Sequence, residues 1–312
     1  MKKIFKFIFD KKIKIDLFYN YHRVEYYNKN NRYQKLSNVY PLIFKIKIYF
    51  FKLFFNIVCI KEVIKYSKLK KINLVITFDD VSSSIYNIKT FLQKNNIPFS
   101  ICLNTSTIEN NSIREKVYII NNQLPKSQID DIFNKETNNK FNQYIKNNSF
   151  LKYSKNLNLD QYELISIINK IFSNNINKNL KHTLLQNRYL TIRDIQKNFL
   201  YKNITIINHG FNHINYKFLS LDQIEYEIAQ STIYFKEKLN LKTEIFALPY
   251  GEINLDTLFD INLTLKKYNY LMSLWTGYGS FIINKNYRNN IIHVKRQNDT
   301  NNLIIFFYKF FR

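Results

Sequence analysis

The stretch NLVITFDDV, residues 73–81, is an apolar and β-branched run that stops at two adjacent carboxylates, Asp79 and Asp80. A run of this kind is typical of a strand that is buried on both faces of a parallel sheet. Apolar residues at helical spacing follow over 85–95, and a second apolar run follows over 99–103. The order strand, helix, strand predicts a βαβ unit, and such a unit implies a parallel sheet.

The same alternation continues on both sides of this unit. Further strands are predicted at 17–21, 56–60, 204–207, 244–248, 268–274 and 291–294, and helices at 40–54, 61–66, 159–172, 192–199 and from 220 onward. Ser220 and Gln223 form a capping box, which defines the start of the last of these helices. We therefore expect one α/β domain over 1–312, with a core over about 17–300 and a polar, helical insert over 105–188.

The composition excludes several classes of protein. Of the 312 residues, 46% are hydrophobic, which rules out wholesale disorder, and two cysteines, Cys59 and Cys102, are too few for a disulfide framework. Lys and Arg number 47 against 23 Asp and Glu, so the formal net charge is +24. Solvated lysine-rich faces explain this charge as well as an anionic glycan or membrane surface does. No nucleic-acid motif accompanies the charge, and we expect no nucleic-acid partner.

The segment 40–60 is the most apolar of the chain, but Lys45, Lys47 and Lys52 interrupt it. A charge at the centre of a membrane-spanning helix costs about 2.5–3.5 kcal/mol, so three lysines argue against a span. Two interpretations stay open for its helix, packing against the core or lying on an anionic bilayer. Residues 1–16 lack the apolar stretch and the cleavage site of a signal peptide. We expect a cytoplasmic protein, associated with the inner membrane face if the helix lies on the bilayer.

Three polar clusters come directly after predicted strands, at 79–80, 209–213 and 249–251. Functional sites of parallel α/β folds gather at the carboxyl ends of the strands. Four residues apart on a helical turn, the two histidines of 209–213 point the same way and favour a metal site, although two surface histidines would show the same spacing. The adjacent carboxylates repel each other, which a divalent cation would relieve, and a helix N-cap is the alternative.

Together these clusters resemble a known family. Residues 77–81 (TFDDV), 209–213 (HGFNH) and 246–251 (FALPYG) are similar to the Thr-Phe-Asp-Asp-Gly, His-Ser/Thr-x-x-His and Phe-Arg-Pro-Pro-Tyr-Gly motifs of the polysaccharide deacetylases, the NodB homology or carbohydrate esterase family 4 group. Residues 21–24 (YHRV) resemble a Tyr-His segment near the amino end of many members, including a circularly permuted branch. The resemblance covers roughly 17–300 and implies a distorted (β/α)7 barrel.

The resemblance also implies a reaction and the residues that perform it. Asp80, His209 and His213 would hold a divalent metal ion, zinc first, with cobalt or nickel as alternatives. Asp79 would be the general base that takes a proton from the attacking water, and the backbone N–H of Tyr250 would stabilise the oxyanion. An Asp-His-His site leaves coordination positions open for water and for the acetyl carbonyl of the substrate.

Two further roles follow from the resemblance less directly. The leaving amine needs a proton, and the late Leu-x-x-His motif that supplies it in many members does not stand out here. His22, in the Tyr-His segment, is the first candidate for this acid and His293 is the second. Ala247 stands where many members have an arginine beside the base, and we expect Arg296 to replace that arginine.

The sequence therefore predicts a hydrolase of carbon–nitrogen bonds that removes acetyl groups from an N-acetylated sugar, in a polysaccharide or an envelope glycan precursor. Two more departures, Val81 for a glycine and Gly210 for Ser or Thr, keep an inactive glycan-binding relative as an alternative. A basic membrane-associated protein is the other alternative. The sugar, its linkage and the oligomeric state stay open.

Overall fold

The structure, a computed structural model, describes residues 16–26, 38–65, 73–136, 161–176, 189–251, 255–276 and 291–298. Within these ranges the strands are β1 (Asp16–Tyr21), β2 (Arg23–Val24), β3 (Asn38–Val39), β4 (Asn56–Ile57), β5 (Asn73–Phe78), β6 (Phe99–Leu103), β7 (Ile204–Asn208), β8 (Ile245–Ala247), β9 (Met272–Thr276) and β10 (Ile292–Asn298). The helices are α1 (Pro41–Phe54), α2 (Ile60–Lys65), α3 (Tyr86–Lys94), α4 (Thr105–Ile108), α5 (Ile113–Gln123), α6 (Lys126–Glu136), α7 (Gln161–Asn175), α8 (Ile192–Asn198), α9 (Leu221–Lys238) and α10 (Leu255–Lys267).

Seven of these strands close into a parallel barrel. The order around the barrel is β1, β10, β9, β8, β7, β6 and β5, and β1 completes the circle by pairing with β5. β1 runs beside β5 over its whole length, from Asp16 opposite Asn73 to Tyr21 opposite Phe78. β4 adds a short pairing at the amino-terminal end of β5. The predicted distorted (β/α)7 barrel is confirmed.

The barrel has an apolar interior and an apolar outer face. All seven strands contribute to one buried cluster, which therefore lies inside the barrel; its members include Phe18, Val75, Cys102, Ile207, Ala247, Leu274 and Val294. Outside, Tyr21 and Phe78 stack with ring centroids 5.4 Å apart, and Phe44 of α1 packs edge-on against Tyr21 at 5.0 Å. Burying a large apolar side chain contributes about 1.5–3 kcal/mol, so these layers hold the strand ends in place.

Local sequence signals determine where the helices on either side of β7 begin. The predicted capping box of Ser220 and Gln223 is confirmed at the start of α9. A second capping box, between Thr191 and Asp194, begins α8. Each box satisfies two backbone N–H groups that the first helical turn leaves without a partner. The chain therefore enters and leaves β7 through helices with well-defined starts.

Several predicted boundaries differ from the structure. The strand predicted over 56–60 is only Asn56–Ile57, because Ile60 already begins α2. The strand predicted over 268–274 begins at Met272, since Asn269 adopts a left-handed φ of 60° that a strand does not accommodate. The last strand extends to Asn298, beyond the predicted end at 294, and so includes Arg296.

The helix α1 supports the first interpretation of the segment 40–60. Phe44, Ile48 and Phe51 of α1 are buried against the core. The opposite side of the same helix carries exposed apolar side chains, at Leu42, Ile46, Tyr49 and Leu53. Among the residues that the structure describes, no helix is both long and apolar enough to cross a membrane.

The described parts of the insert, 105–136 and 161–176, are largely helical. α5, α6 and α7 enclose an apolar cluster of their own, which includes Val117, Ile120, Ile129, Phe133, Leu164, Ile168 and Ile171. This cluster shares no residue with the barrel interior. The insert therefore brings its own core to the carboxyl ends of the barrel strands.

Candidate active site

The carboxyl ends of β5 and β7 continue their strand hydrogen bonds into the polar clusters. The N–H of Asp79 donates to the carbonyl of Tyr21 at 2.8 Å, and the N–H of His209 donates to the carbonyl of Leu103 at 2.9 Å. Both side chains are buried, with 2% exposure each. The two residues are thus extensions of the barrel wall, and the barrel fixes their positions.

The backbone turns sharply just beyond these strand ends. Asp80, His213 and Tyr250 all adopt left-handed conformations, with φ of 47°, 56° and 60°. Residues other than glycine seldom adopt this region, and they do so most often at functional sites. The residue with the left-handed φ after β5 is Asp80, and Val81 does not have one. Val81 stands where the family motif has a glycine, and its β-branched side chain is buried.

The predicted helical turn over 209–213 is wrong. These residues form an irregular loop, in which Gly210 has a φ of 83° and His213 a φ of 56°. The two histidine rings converge all the same, with centroids 5.0 Å apart. Two left-handed residues within the loop turn the chain back on itself, which gives the proximity that a helix would have given.

Two buried polar residues hold this loop in shape. The side-chain amide of Asn104 donates to the carbonyls of His209, at 3.1 Å, and Gly210, at 2.9 Å. The carboxylate of Glu227, on α9, accepts hydrogen bonds from the backbone N–H of Asn212 at 2.9 Å and from its side chain at 2.7 Å. Burial raises the pKa of Glu227 above its usual value in spite of these hydrogen bonds.

Asp80 and the two histidines form a compact set of possible metal ligands. Oδ1 of Asp80 lies 3.0 Å from Nε2 of His213 and 3.7 Å from Nε2 of His209. One ligand atom from each residue lies within 4.8 Å of the others. Oδ1 is buried and, within the described part of the chain, receives no hydrogen bond of acceptable geometry. A buried carboxylate oxygen that faces two imidazole nitrogens without a donor fits a divalent metal ion.

The hydrogen bonding of His209 also suits metal binding. Its Nδ1 lies 2.7 Å from the carbonyl oxygen of Ala247. A carbonyl can only accept, so Nδ1 carries the proton and Nε2 presents a lone pair toward Asp80. Burial lowers the pKa of His209, which keeps the ring neutral. A neutral imidazole held through its other nitrogen is the usual state of a metal ligand.

Asp79 is held by a different set of partners. Nη1 and Nη2 of Arg296 donate to its two carboxylate oxygens at 2.6 and 2.7 Å, and the side-chain amide of Asn20 donates to Oδ2 at 2.9 Å. Burial alone would raise the pKa of Asp79, but Arg296 and His209 outweigh it and hold the pKa below its usual range. Asp79 is therefore an ionised, rigidly oriented carboxylate beside the histidines.

Arg296 lies against Asp79, the residue beside which it was expected to replace the arginine missing at Ala247. The guanidinium is fully buried, and its Nη1 also contacts Oδ1 of Asn20 at 3.2 Å and Oγ1 of Thr77 at 3.3 Å. The structure thus brings Arg296 against the candidate base, as the sequence analysis expected. β1 and β5 thus each contribute a polar side chain, Asn20 and Thr77, to the surroundings of the Asp79–Arg296 pair.

His22 lies within the charged cluster. It follows Tyr21, whose partner in the register of β1 and β5 is Phe78, the residue before Asp79. Burial lowers the pKa of His22 to about 4, although Asp79 and Asp80 act in the opposite direction. The imidazole is therefore neutral near pH 7.

His293 lies apart from this cluster. Along β10, Val294 belongs to the barrel interior, and side chains of a strand alternate, so His293 points to the outer face. Its Nδ1 is 2.5 Å from Oγ of Ser273, and its ring meets that of Trp275 at 5.0 Å. Burial lowers the pKa of His293 to about 4. Of the two candidate acids, His22 is the one that lies near Asp79.

The third polar cluster, residues 249–251, lies over the two histidines. The ring of Tyr250 is 5.0 Å from that of His213, and burial raises the pKa of its phenol. Gly210 lies beneath this cluster with a left-handed φ of 83°, and a Cβ there would lie 3.2 Å from Oη of Tyr216 and 3.3 Å from Cγ of Pro249. A Ser or Thr in place of Gly210 would therefore be strained in this loop.

Several residues of the site were not predicted from the sequence. Asn20 and Asn104 are polar residues within and directly after predicted apolar strands, which is a signal that could have indicated them. Glu227 lies on the buried stripe of α9, where a carboxylate is unexpected. Arg114, in the insert, donates from Nη1 to Oδ2 of Asp80 at 3.0 Å and has no such signal in the sequence.

Part of the chain is similar to a known protein family. The model of the polysaccharide deacetylase family matches residues 166–269, a third of the chain. The match contains both histidines of 209–213 and the turn at 249–251, while Asp79 and Arg296 lie outside it. The resemblance predicted from the sequence is confirmed over this stretch: it is similar to the polysaccharide deacetylases, which are hydrolases of the N-acetyl amide bonds of sugars. No curated protein matches the chain.

Solved structures show the same fold. The deacetylase PplD of Streptococcus pyogenes, in complex with acetate, superposes with a TM-score of 0.57 at 15% identity, over 92% of this chain and 93% of that one. A polysaccharide deacetylase of Bacillus cereus gives 0.56 at 13%, over 95% and 68%. A de-N-acetylase of Aggregatibacter actinomycetemcomitans gives 0.53 at 13%, over 95% and 99%.

Proposed function

We propose that this protein catalyses the metal-dependent removal of an acetyl group from an N-acetylated sugar, in a polysaccharide or an envelope glycan precursor. The observation that carries the proposal is the buried oxygen of Asp80 that faces Nε2 of both His209 and His213 and has no donor among the described residues. The intact set of Asp79, Asp80, His209 and His213 favours an active enzyme over an inactive glycan-binding relative, which would not need all four.

The metal would be held by Asp80, His209 and His213, with zinc as the first choice and cobalt or nickel as alternatives. When bound, a divalent ion supplies Lewis-acid activation of water and of the acetyl carbonyl. His209 offers Nε2 because the carbonyl of Ala247 keeps the proton on Nδ1. Asp80 is ionised, because the histidines and Arg114 hold its pKa well below the usual range against the effect of burial.

Asp79 is the proposed general base. Its low pKa keeps it ionised over the whole neutral range, and Arg296 fixes both of its oxygens. A carboxylate that cannot rotate accepts the proton of an attacking water in one defined direction. Arg296 is thus a proposed positioning residue that acts through Asp79.

His22 is the proposed donor of the proton that the leaving amine requires. With a pKa of about 4 the resting ring is neutral, so His22 must gain its proton during the reaction. Asp79 holds one after it has deprotonated the water, and His22 follows Tyr21, whose carbonyl accepts a hydrogen bond from the N–H of Asp79. We therefore propose a relay from Asp79 through His22 to the amine. The backbone N–H of Tyr250 is the proposed donor to the oxyanion.

The test of this function combines metal content with acetate release. The purified protein should contain about one divalent metal ion per chain, as a three-ligand site predicts. A His209→Ala/His213→Ala variant should lose it, and His293→Ala, a matched control outside the cluster, should keep it. Acetate release from N-acetylhexosamine oligomers should follow the metal content of each variant.

The outcomes separate the alternatives. Metal binding without acetate release from any N-acetylated glycan would favour the inactive relative. No metal in the wild type after incubation with zinc, cobalt or nickel would contradict the enzyme proposal.

A peripheral membrane contact is a second, separate proposal. Leu42, Ile46, Tyr49 and Leu53 form one stripe of α1 and are 63%, 42%, 53% and 78% exposed. Lys45 and Lys52 lie along one edge of this stripe, which suits an anionic bilayer. Binding to vesicles that contain phosphatidylserine, weakened in a Leu42→Ser/Leu53→Ser variant, would support the contact. Equal binding of the two proteins would contradict it.

A further inference from the structure

Arg114 reaches the candidate metal site from the insert. It is the second residue of α5, and its Nη1 donates to Oδ2 of Asp80 at 3.0 Å. The side chain of Arg114 is 35% exposed and that of Asp80 is 9% exposed, so the guanidinium lies on the solvent side of the carboxylate. An arginine from the insert is therefore part of the surroundings of a proposed metal ligand.

The two oxygens of Asp80 have different environments. Oδ1 faces Nε2 of His213 and His209, at 3.0 and 3.7 Å. Oδ2 receives the hydrogen bond of Arg114. A carboxylate can bind a metal ion through one oxygen or through both. With Oδ2 engaged by a charged donor, Asp80 presents only Oδ1 to the histidines.

The residue after Arg114 anchors the start of α5 to the barrel. Glu115 is 1% exposed, and it accepts hydrogen bonds from Nη2 of Arg23 at 3.0 Å and from the hydroxyl of Tyr189 at 2.8 Å. Arg23 begins β2, with one residue between it and the end of β1, and Tyr189 forms a bridge with Ser82, just beyond the aspartates. The anchor is thus tied to the same strand ends that carry the site.

This anchor explains how a helix of the insert can aim a side chain accurately. A buried carboxylate with a charged partner is strongly destabilised when that partner is lost, so the Arg23–Glu115 pair resists separation. Ser112 caps α5 by accepting from the N–H of Glu115, which fixes the first turn of the helix. Arg114 is therefore placed over Asp80 by its neighbours on both sides.

We propose that Arg114 is a positioning residue that keeps Asp80 a one-oxygen metal ligand, and that the insert thereby completes the active site. The inference rests on the proposed metal site. Without Arg114, Oδ2 is free to turn toward the ion, and a second oxygen would occupy a coordination position that water or substrate requires. Losing Arg114 should therefore lower kcat more than it raises KM.

Cobalt-loaded protein provides the test, because visible absorption of Co(II) reports its coordination geometry and number. We expect Arg114→Ala to bind cobalt but to show an absorption per bound ion that is lower by about twofold or more, as the coordination number rises. Its kcat should fall about 10- to 100-fold, a range typical of groups that orient metal ligands. Arg114→Lys has one ammonium group in place of a planar guanidinium. Its absorption per bound ion and its kcat should lie between those of Arg114→Ala and the wild type.

Two further variants control the experiment. Arg193→Ala removes an exposed arginine outside the site and should match the wild type in spectrum and kcat. Glu115→Gln loosens the anchor and should shift the spectrum in the same direction as Arg114→Ala. A wild type that binds no cobalt would contradict the proposed function itself. Cobalt binding with identical spectra and kcat in wild type and Arg114→Ala would overturn only the present inference.

Discussion

Arg296 on β10 and Asp79 at the end of β5 are joined by two hydrogen bonds of 2.6 and 2.7 Å, although 217 residues separate them in the sequence. β1 lies between these two strands in the barrel, and its Asn20 contacts both members of the pair. The closure of the barrel is therefore what brings the proposed base and its arginine together. Two parallel hydrogen bonds between planar groups also fix orientation as well as distance.

Arg296→Ala should be the most harmful single substitution at this pair. It leaves a buried carboxylate without its counter-charge, which typically costs about 3–5 kcal/mol of unfolding free energy. Urea unfolding at pH 7 measures this loss. Arg296→Lys is the control, since it keeps the charge but offers one donor group in place of two, and it should restore part of the stability but little of the activity.

The same pair predicts a pH dependence. The folded-state pKa of Asp79 is lowered, so its contribution to stability is present above the unfolded pKa of about 3.9 and is lost as the pH falls through the folded value. Without Arg296 the pKa of Asp79 should rise, and the acid limb of the kcat/KM profile should move to higher pH. An acid limb at the same pH in Arg296→Ala and in the wild type would show that Asp79 is not the base.

His22 and His293 give a paired prediction about the proton donor. His22→Ala should lower kcat by about 100-fold or more, in the range of general acid catalysis, because the ring of His22 lies within the electrostatic reach of Asp79 and Asp80. His293→Ala should leave kcat within about threefold, because its ring is on the outer face with Ser273 and Trp275. Metal content must be the same in both variants. The opposite ranking of kcat would transfer the role of the acid to His293.

The outer-face histidine also predicts a change of stability with pH. The folded pKa of His293, about 4, lies below the usual 6.5, so the unfolded state binds the proton first and stability falls as the pH drops from 6.5 toward 4. Since His293 is partly exposed, its contribution to the loss of unfolding free energy between pH 7 and pH 5 is about 1–2 kcal/mol. His293→Gln should reduce the stability difference between these two pH values by that amount. An unchanged difference would mean that the ring is already protonated or well solvated in the folded state.

The sequence pattern was sufficient for a parallel α/β sheet and for the polar residues at its strand ends, while the barrel followed from the family resemblance. The run over 73–81 predicts a buried parallel strand with two carboxylates at its end, because its apolar stretch is short, β-branched and cut off by charge. The capping box at Ser220 is equally local, since both partners lie within one helical turn. Features of this kind depend on neighbours in the chain, and the structure reproduces them.

The contacts that hold the site could not be obtained in the same way. Arg114 reaches Asp80 across the insert, and Glu227 reaches the loop 209–213 from a helix that starts beyond it. Such pairs depend on how helices pack, for which a single sequence gives no periodic signal. The helical turn predicted over 209–213 failed for a local reason, because Gly210 permits a φ of 83° and the chain uses it.

Gly210→Ala should damage the site through this backbone conformation. A Cβ at Gly210 would lie 3.2 Å from Oη of Tyr216 and 3.3 Å from Cγ of Pro249, in addition to the strain of a left-handed φ. We expect a loss of about 1–3 kcal/mol in unfolding free energy together with weaker metal binding. Asn240→Ala is the matched control, because Asn240 is left-handed with a φ of 52° but lies beyond the end of α9. If both variants bind metal like the wild type, the loop 209–213 does not need its left-handed glycine.

Glu227→Gln tests whether the support of the histidine loop matters for metal binding. The carboxylate accepts hydrogen bonds from the N–H groups of Phe211 and Asn212 and from the hydroxyl of Tyr162, so every partner is a donor. Glutamine keeps one acceptor oxygen and turns an NH2 group toward the remaining donors, which should cost about 1–3 kcal/mol of stability.

The loosened loop should also weaken metal binding about tenfold, since His213 follows Asn212 directly. Glu225→Gln provides the control on the same helix, because the side chain of Glu225 is 39% exposed and forms an ion pair with Lys267. Isothermal titration with zinc compares the three proteins directly. Equal zinc affinity in Glu227→Gln and Glu225→Gln would mean that the left-handed backbone of the loop positions His213 without help from α9.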